Sequence, residues 1–159
     1  MLTKDLMTKA PACCTPSDTA RDAARVMQEN DCGSVPIVDD RESNRIVGVV
    51  TDRDLAMRGI AMGRGPDTPL SELMTPDPEC CKADDNIDVV ARTMTDRQLR
   101  RVIIVDGDRR CVGIVAQADI ALAGESIGTG DVARIVESIS EPASERGDRN
   151  RASDSAPPR

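Results

Sequence analysis

The 159-residue chain has no histidine and no phenylalanine, tyrosine or tryptophan. Without histidine, the commonest general base and the commonest zinc ligand are both missing. Without aromatic rings, no nucleobase can stack on the kind of platform that single-strand binders use. No run approaches the ~20 apolar residues that a membrane-spanning helix requires. The opening MLTKDLMTKAP carries charges where a signal peptide needs an apolar core, so a soluble, cytoplasmic protein is expected, with no membrane partner. Positive charge is also scarce: 21 Lys and Arg face 28 Asp and Glu, a net charge of −7. That balance argues against broad, backbone-led nucleic-acid binding, yet leaves room for a small anion held by a few local arginines. The core must come from Val, Ile, Leu, Ala, Met and Cys, and the length suits one well-buried domain or two small ones.

What is present is a repeat. Leu6-Met7-Thr8 recurs as Leu73-Met74-Thr75, Cys13-Cys14 as Cys80-Cys81, and Ala24-Arg25 with Met27 as Ala91-Arg92 with Met94, each 67 residues on. After SVPIVD (from Ser34) and RVIIVD (from Arg101) the offset falls to 65, so copy one has two extra residues in the polar turn DRESNR from Asp40. The turn composition predicts a hairpin. Ala20, Ala23, Ala24 and Met27, and in copy two Ile87, Val90, Ala91 and Met94, follow the spacing of one helix face. Thr19 and Asn86 are the expected N-caps. Strands follow over Val35 to Val38 and Ile46 to Val50, and over Val102 to Val105 and Cys111 to Val115. A second helix begins at VGVVTDRDLA (from Val47) and at VGIVAQADIA (from Val112).

The unit is β-α-β-β-α, written twice. Copy one is expected over 1–62, a linker over 63–70 and copy two over 71–124. The apolar spacing of Val132, Ile135, Val136 and Ile139 predicts a helix over 125–140, and the aperiodic 141–159 a disordered tail.

Two LMT-led units with SVPIVD and VGVVTDRDLA in register resemble a tandem pair of CBS domains, of the stand-alone bacterial type, over roughly Leu2 to Ala123. The resemblance implies an α/β (α+β) module of two pseudo-symmetric repeats that often dimerises into a flat disc. It also implies clefts that take AMP, ADP, ATP or S-adenosylmethionine-like ligands.

The residues themselves point the same way. Thr51 and Asp54 stand at a strand-to-helix junction, where free N–H groups favour an anion. A carboxylate there can accept two hydrogen bonds from a ribose diol. By the resemblance, Asp54 binds ribose, Thr51 lies beside sugar and phosphate, and Arg53 reaches the phosphates. Val35, Pro36 and Ile37 would be an aliphatic wall for adenine. The competing reading of Thr51 and Asp54 is a helix start, an N-cap with an acid in the first turn. Copy two keeps Asp119 while Ala116 replaces the threonine, which capping alone does not explain well. Asp119 could therefore bind a second ribose. Arg100 and Arg101 stand where the family often places phosphate-contacting basic residues, with a solvated strand start as the alternative. Copy one has Gly33 and Ser34 there, and Ile103 replaces Pro36, so two unequal sites are expected.

Six cysteines invite a metal or redox reading. Adjacent cysteines on a strand point to opposite faces, which makes joint ligation by Cys13, Cys14, Cys80 and Cys81 awkward. Cys32 aligns with Leu99 and Cys111 with Ile46, which reads as core filling, and core filling is favoured for the two pairs as well. The expected function is a regulatory sensor of an adenosine-containing small molecule. It would act as a homodimer on an effector protein not identifiable from the sequence, with no obligatory cofactor and no enzyme activity. A thiol- or zinc-responsive protein using the Cys pairs, or a ligand-free dimerisation module, are the alternatives.

Overall fold

A computed structural model describes residues 1–123. The helix expected over 125–140 and the tail over 141–159 lie outside the described residues. Copy one runs from helix α1 (Thr3–Leu6) through strand β1 (Thr8–Lys9) and helix α2 (Ala20–Glu29) to the hairpin of β2 (Ser34–Val38) and β3 (Ile46–Thr51). Helix α3 (Asp52–Asp54) then passes into a π-helical turn, Leu55–Gly59, and a 3-10 turn, Ile60–Met62. Copy two starts with a 3-10 turn at Leu70–Glu72, then β4 (Thr75–Pro76), β5 (Cys80–Lys82) and helix α4 (Ile87–Arg97). It ends with β6 (Arg101–Val105), β7 (Cys111–Ala116) and helix α5 (Gln117–Leu122).

Local chemistry explains these boundaries. The Asp22 N–H donates to Thr19 Oγ1 at 3.3 Å while the Thr19 N–H donates to the Asp22 carboxylate at 2.9 Å, a reciprocal cap on α2. Asn86 accepts the Asp88 N–H at 3.1 Å and starts α4. In α4 all four expected apolar positions, Ile87, Val90, Ala91 and Met94, are buried. In α2 the buried stripe is rotated: Ala23 and Met27 are buried, Val26 packs against the core, and Ala24 is exposed. The turn after β2 is held by its own acids, with the Glu42 and Ser43 N–H groups both donating to Asp40 Oδ1 at 2.8 Å.

The sheets do not divide as the sequence copies do. One sheet has the order β1-β7-β6-β5 and the other β2-β3-β4. Strand β1 of copy one thus pairs with β7 of copy two, and β4 of copy two pairs with β3 of copy one. The exchange is reciprocal in its hydrogen bonds. Thr3 N–H donates to Asp85 O and Lys4 N–H to Ala83 O, both at 2.9 Å; Leu70 N–H donates to Asp18 O at 2.8 Å and Ser71 N–H to Pro16 O at 2.9 Å. Each LMT segment therefore closes the sheet of the opposite copy. In each case a glycine permits the crossing: Gly48 lies under Met74 and Gly113 under Met7.

Among the described residues, three apolar clusters result. One lies beneath α2, with Cys14, Val35, Ile37 and Val50, and one beneath α4, with Cys81, Val102, Ile104 and Val115. The third, Val38, Ile46, Ile103, Val105 and Cys111, joins the two copies. The hairpin ends meet there: Cys111 N–H donates to Asn44 O at 2.9 Å, and Ile46 N–H to Arg109 O at 3.1 Å. Among the described residues, no helix is long and apolar enough to cross a membrane.

Candidate functional site

Strand alternation sorts the expected site residues onto two faces. In the β2–β3 pair, Ser34 stands opposite Thr51, Val35 opposite Val50, Pro36 opposite Val49 and Ile37 opposite Gly48. Val35, Ile37 and Val50 face the core under α2 and are 0% exposed. Ser34, Thr51, Pro36 and Val49 therefore share the other face, where Val49 packs against the cluster that joins the copies. This corrects the expected adenine wall. Val35 and Ile37 turn their side chains away from Thr51, and Pro36 is the member of the trio on the same face.

At the end of β3 the Thr51 N–H and hydroxyl both donate to Asp54 Oδ2 at 2.9 Å, and the Asp54 N–H donates to Thr51 Oγ1 at 3.1 Å. Asp54 is mostly buried, 17% exposed, and its other oxygen faces Arg58 Nε at 3.7 Å. Arg58 also donates to the carbonyls of Leu73 and Met74 at 3.2 Å, tying the exchanged segment of copy two to the copy-one helix. In copy two, Asp119 Oδ2 accepts the Ala116 N–H at 2.7 Å. The retention of Asp119 thus has a capping explanation after all: the acid satisfies the N-cap N–H whether or not that residue carries a hydroxyl. The repeat of the acid is not by itself a sign of ligand binding.

Other features do mark the strand-to-helix junction of copy one. Ser34 is 5% exposed and its hydroxyl has no hydrogen-bond partner among the described residues. A buried, unpaired hydroxyl costs stability, on the order of 1–3 kcal/mol, unless something binds it. At the preceding residue, Gly33, lies Arg101, which comes from the other copy. A methyl group placed on Gly33 would sit 2.9 Å from the Asp52 carboxylate and 3.2 Å from both terminal nitrogens of Arg101. The absence of a side chain at Gly33 is what lets the Arg101 guanidinium lie there. Arg53 is exposed on the first turn of α3 and Arg100 is exposed just before β6; neither forms an ion pair among the described residues. The structure therefore groups Thr51, Asp54 and Pro36 on one face with Arg101 over its edge, while Asp119 stands at the equivalent junction of copy two. In the sequence Ser34 stood only as the copy-one counterpart of Arg101, and Arg58 went unremarked. Ser34 had a signal, since it aligns with Arg101 at the 67-residue offset. Arg58 had none.

The cysteines separate as alternation requires. Cys14 and Cys81 are buried in the two different helix-side cores. Cys13 and Cys80 face the cluster between the copies. Burial pushes the Cys14 and Cys80 thiols up to about 11. Among the described residues, no group of three or more His, Cys, Asp or Glu is arranged to hold a metal.

Comparison with known proteins gives this geometry a context. The CBS domain profile matches residues 4–59 and 70–126. Hypoxic response protein 1 of Mycobacterium tuberculosis is 35% identical over 119 residues, 74% of this chain and 81% of that protein. Its crystal structure, with two coordinated zinc ions, superposes with a TM-score of 0.68 over 77% of this chain and 98% of that one. The CBS domain pair of protein MJ0100, solved with 5'-methylthioadenosine and S-adenosyl-L-methionine, is 29% identical, with a TM-score of 0.71 over 80% of this chain and 98% of that one. CBSX2 of Arabidopsis thaliana, solved in complex with AMP, is 26% identical, with a TM-score of 0.68 over 79% of this chain and 97% of that one. Two profile matches in tandem, on two copies that exchange their first strands, establish that this chain belongs to the CBS-domain family, with its two CBS domains as a tandem pair.

Proposed function

We propose that the protein is a regulatory module that binds an adenine nucleotide in the cleft between its two copies, at the copy-one end. Asp54 accepts hydrogen bonds from the ribose, Thr51 and Ser34 bond the sugar and phosphate, and Arg101 and Arg53 neutralise the phosphates. Pro36 packs against the base. The single observation that carries this reading is the buried, unpartnered Ser34 hydroxyl on the face of Thr51, with the guanidinium of the opposite copy at the adjoining Gly33. The AMP and S-adenosyl-L-methionine complexes of related CBS pairs support the ligand class. At the copy-two junction Asp119 stays available while Ala116 and Ala118 offer no side-chain hydrogen bond, so this site is the weaker. Arg100, an exposed cation, adjoins this junction, since its carbonyl accepts the Gln117 N–H at 2.9 Å. The module has no catalytic role; its output is a change in the relative angle of the copies, passed to an effector protein in the cytoplasm.

The test uses the missing aromatics. The protein barely absorbs in the near ultraviolet, so a co-purifying adenine nucleotide dominates its spectrum. Release by denaturation, chromatography and mass spectrometry then names the ligand. Failure of AMP, ADP, ATP and S-adenosylmethionine to bind by calorimetry would overturn the proposal.

The second copy of the chain is the proposed partner of the helical face. Met57, Ile60 and Met62 are 52%, 78% and 70% exposed there, and Leu122, at the position in copy two equivalent to Met57, is 85% exposed. A shallow apolar pocket adjoins them, lined by Ala20, Ala24, Leu55, Gly59, Ile60 and Pro66. Apolar side chains repeated at equivalent positions suit an isologous contact. Ile60→Asp is expected to convert a dimer into a folded monomer in sedimentation analysis; an unchanged mass would remove this face from the interface.

A further inference from the structure

The phosphate end of the proposed site holds a carboxylate that none of the contacts described so far employs. Asp52, the first residue of α3, reaches Gly33 together with Arg101 of the other copy. A methyl group on Gly33 would meet Asp52 Oδ2 at 2.9 Å and the two terminal nitrogens of Arg101 at 3.2 Å. Both residues are exposed, and among the described residues they form no ion pair with each other. The carboxylate is held from its own chain. The Asp52 N–H donates to Gly33 O at 3.1 Å, and Asp52 Oδ1 accepts the Arg53 N–H at 2.8 Å, which leaves Oδ2 at Gly33. Copy two repeats this backbone with different charges. There the Gln117 N–H donates to Arg100 O at 2.9 Å, the equivalent of the Asp52–Gly33 bond. Gln117 is thus the counterpart of Asp52, while Arg100 and Arg101 are the counterparts of Gly33 and Ser34. Copy one carries an acid where copy two carries a neutral amide.

We propose that Asp52 is a specificity residue that makes the copy-one site select a single phosphate, AMP over ATP. This inference rests on the nucleotide reading of that site. A phosphate held by Arg101 at Gly33 has the Asp52 carboxylate as its neighbour. Arg101 and Arg53 balance the charge of one phosphate. Each further phosphate adds negative charge facing Asp52, while Arg58 is already engaged by Asp54 and by the carbonyls of Leu73 and Met74. Like charges across a gap open to solvent repel enough to change an affinity several-fold, and salt screens the effect. The selection is therefore made by a repulsive element against the wrong ligand, not by an added contact to the right one.

Calorimetry with adenosine, AMP and ATP in magnesium-free buffer tests it on three full-length proteins: the parent, Asp52→Asn and Asp52→Gln. All three carry Asp119→Ala, so that only the copy-one site is read. Asparagine keeps an acceptor for the Arg53 N–H, and glutamine copies the residue of copy two, so each variant checks the other for a loss of structure. The parent is expected to bind AMP more tightly than ATP. Each variant should raise ATP affinity relative to AMP by about fivefold, leave adenosine unchanged, and lose that gain as salt is raised. An ATP-to-AMP ratio that stays the same in both variants, a fall in ATP affinity, or a parent that prefers ATP would each overturn this proposal while leaving the nucleotide reading in place. Failure of all three ligands to bind the parent would overturn that reading, and this inference with it.

Discussion

Asp54→Ala is expected to weaken adenine-nucleotide binding at the strong site by about 100-fold or more. A carboxylate that accepts both hydroxyls of a ribose makes two hydrogen bonds to a charged acceptor, each worth about 1.5–3 kcal/mol, and every 1.4 kcal/mol is roughly tenfold in Kd. The same carboxylate also caps α3 through the Thr51 N–H at 2.9 Å, so a loss of binding needs a control for a loss of structure. Asp119→Ala supplies it. That change removes the equivalent acceptor of the Ala116 N–H at 2.7 Å and should leave the strong site intact. Arg58, whose side chain is about half exposed, loses only a 3.7 Å ion pair in Asp54→Ala, a small effect in solvent. Arg101→Ala separates the phosphate from the sugar: affinity for a nucleotide should fall while that for adenosine stays unchanged. Calorimetry on the four proteins decides it. Equal affinity in Asp54→Ala and the parent would remove the ribose role.

Gly113→Ala is expected to lower the stability of the folded chain by about 2 kcal/mol, the middle of the range for overfilling a tight contact. A methyl group there would clash with Met7 Sδ, approach Met7 Cγ at 2.9 Å and reach the Thr8 carbonyl at 3.1 Å. The methionine can rotate away, but the carbonyl cannot. It belongs to β1, which is paired with β7 through Thr8–Ile114 and Lys9–Gly113, and the chain beyond is pinned by Ala10 N–H on Val112 O at 3.1 Å. The new side chain therefore pushes the exchanged strand off its sheet. Gly48→Ala should act alike, with Met74 Sδ at 2.6 Å and Thr75 O at 3.1 Å. Gly107→Ala, where nothing lies within 4 Å, is the neutral control. Urea unfolding measures the differences, and hydrogen exchange at Lys9 reports whether β1 has detached. A Gly113→Ala protein as stable as Gly107→Ala would mean that the exchanged strand contributes nothing to the fold.

The helices, hairpins and caps were legible because each is written in a few neighbouring residues. Thr19 with Asp22, Asn86 with Asp88, and the period of Ile87, Val90, Ala91 and Met94 need no distant partner to be understood. The aliphatic wall failed for a reason visible in the strand itself. Every residue of Ser34–Val38 is buried, so the strand has no polar alternation to show which side chains face the cleft. Asp119 misled for another reason. Its carboxylate bonds a backbone N–H, a partner that every residue type provides, so the loss of the threonine carried no information about it.

The sequence alone determined the repeat, the β-α-β-β-α order, the family and the residue types available to a site, because these rest on local periodicity and on motifs a fixed distance apart. It also determined the lack of aromatic and imidazole chemistry. Tertiary structure decided which copy each LMT segment completes, that Arg101 lies over Gly33 of the opposite copy, and that Cys13 packs against the cluster joining the copies. A strand of two residues, such as β1 or β4, is too short to encode its partner in a pattern. Its pairing is set by which sheet edge lies open and which glycine leaves room, and both exist only once the two copies have come together.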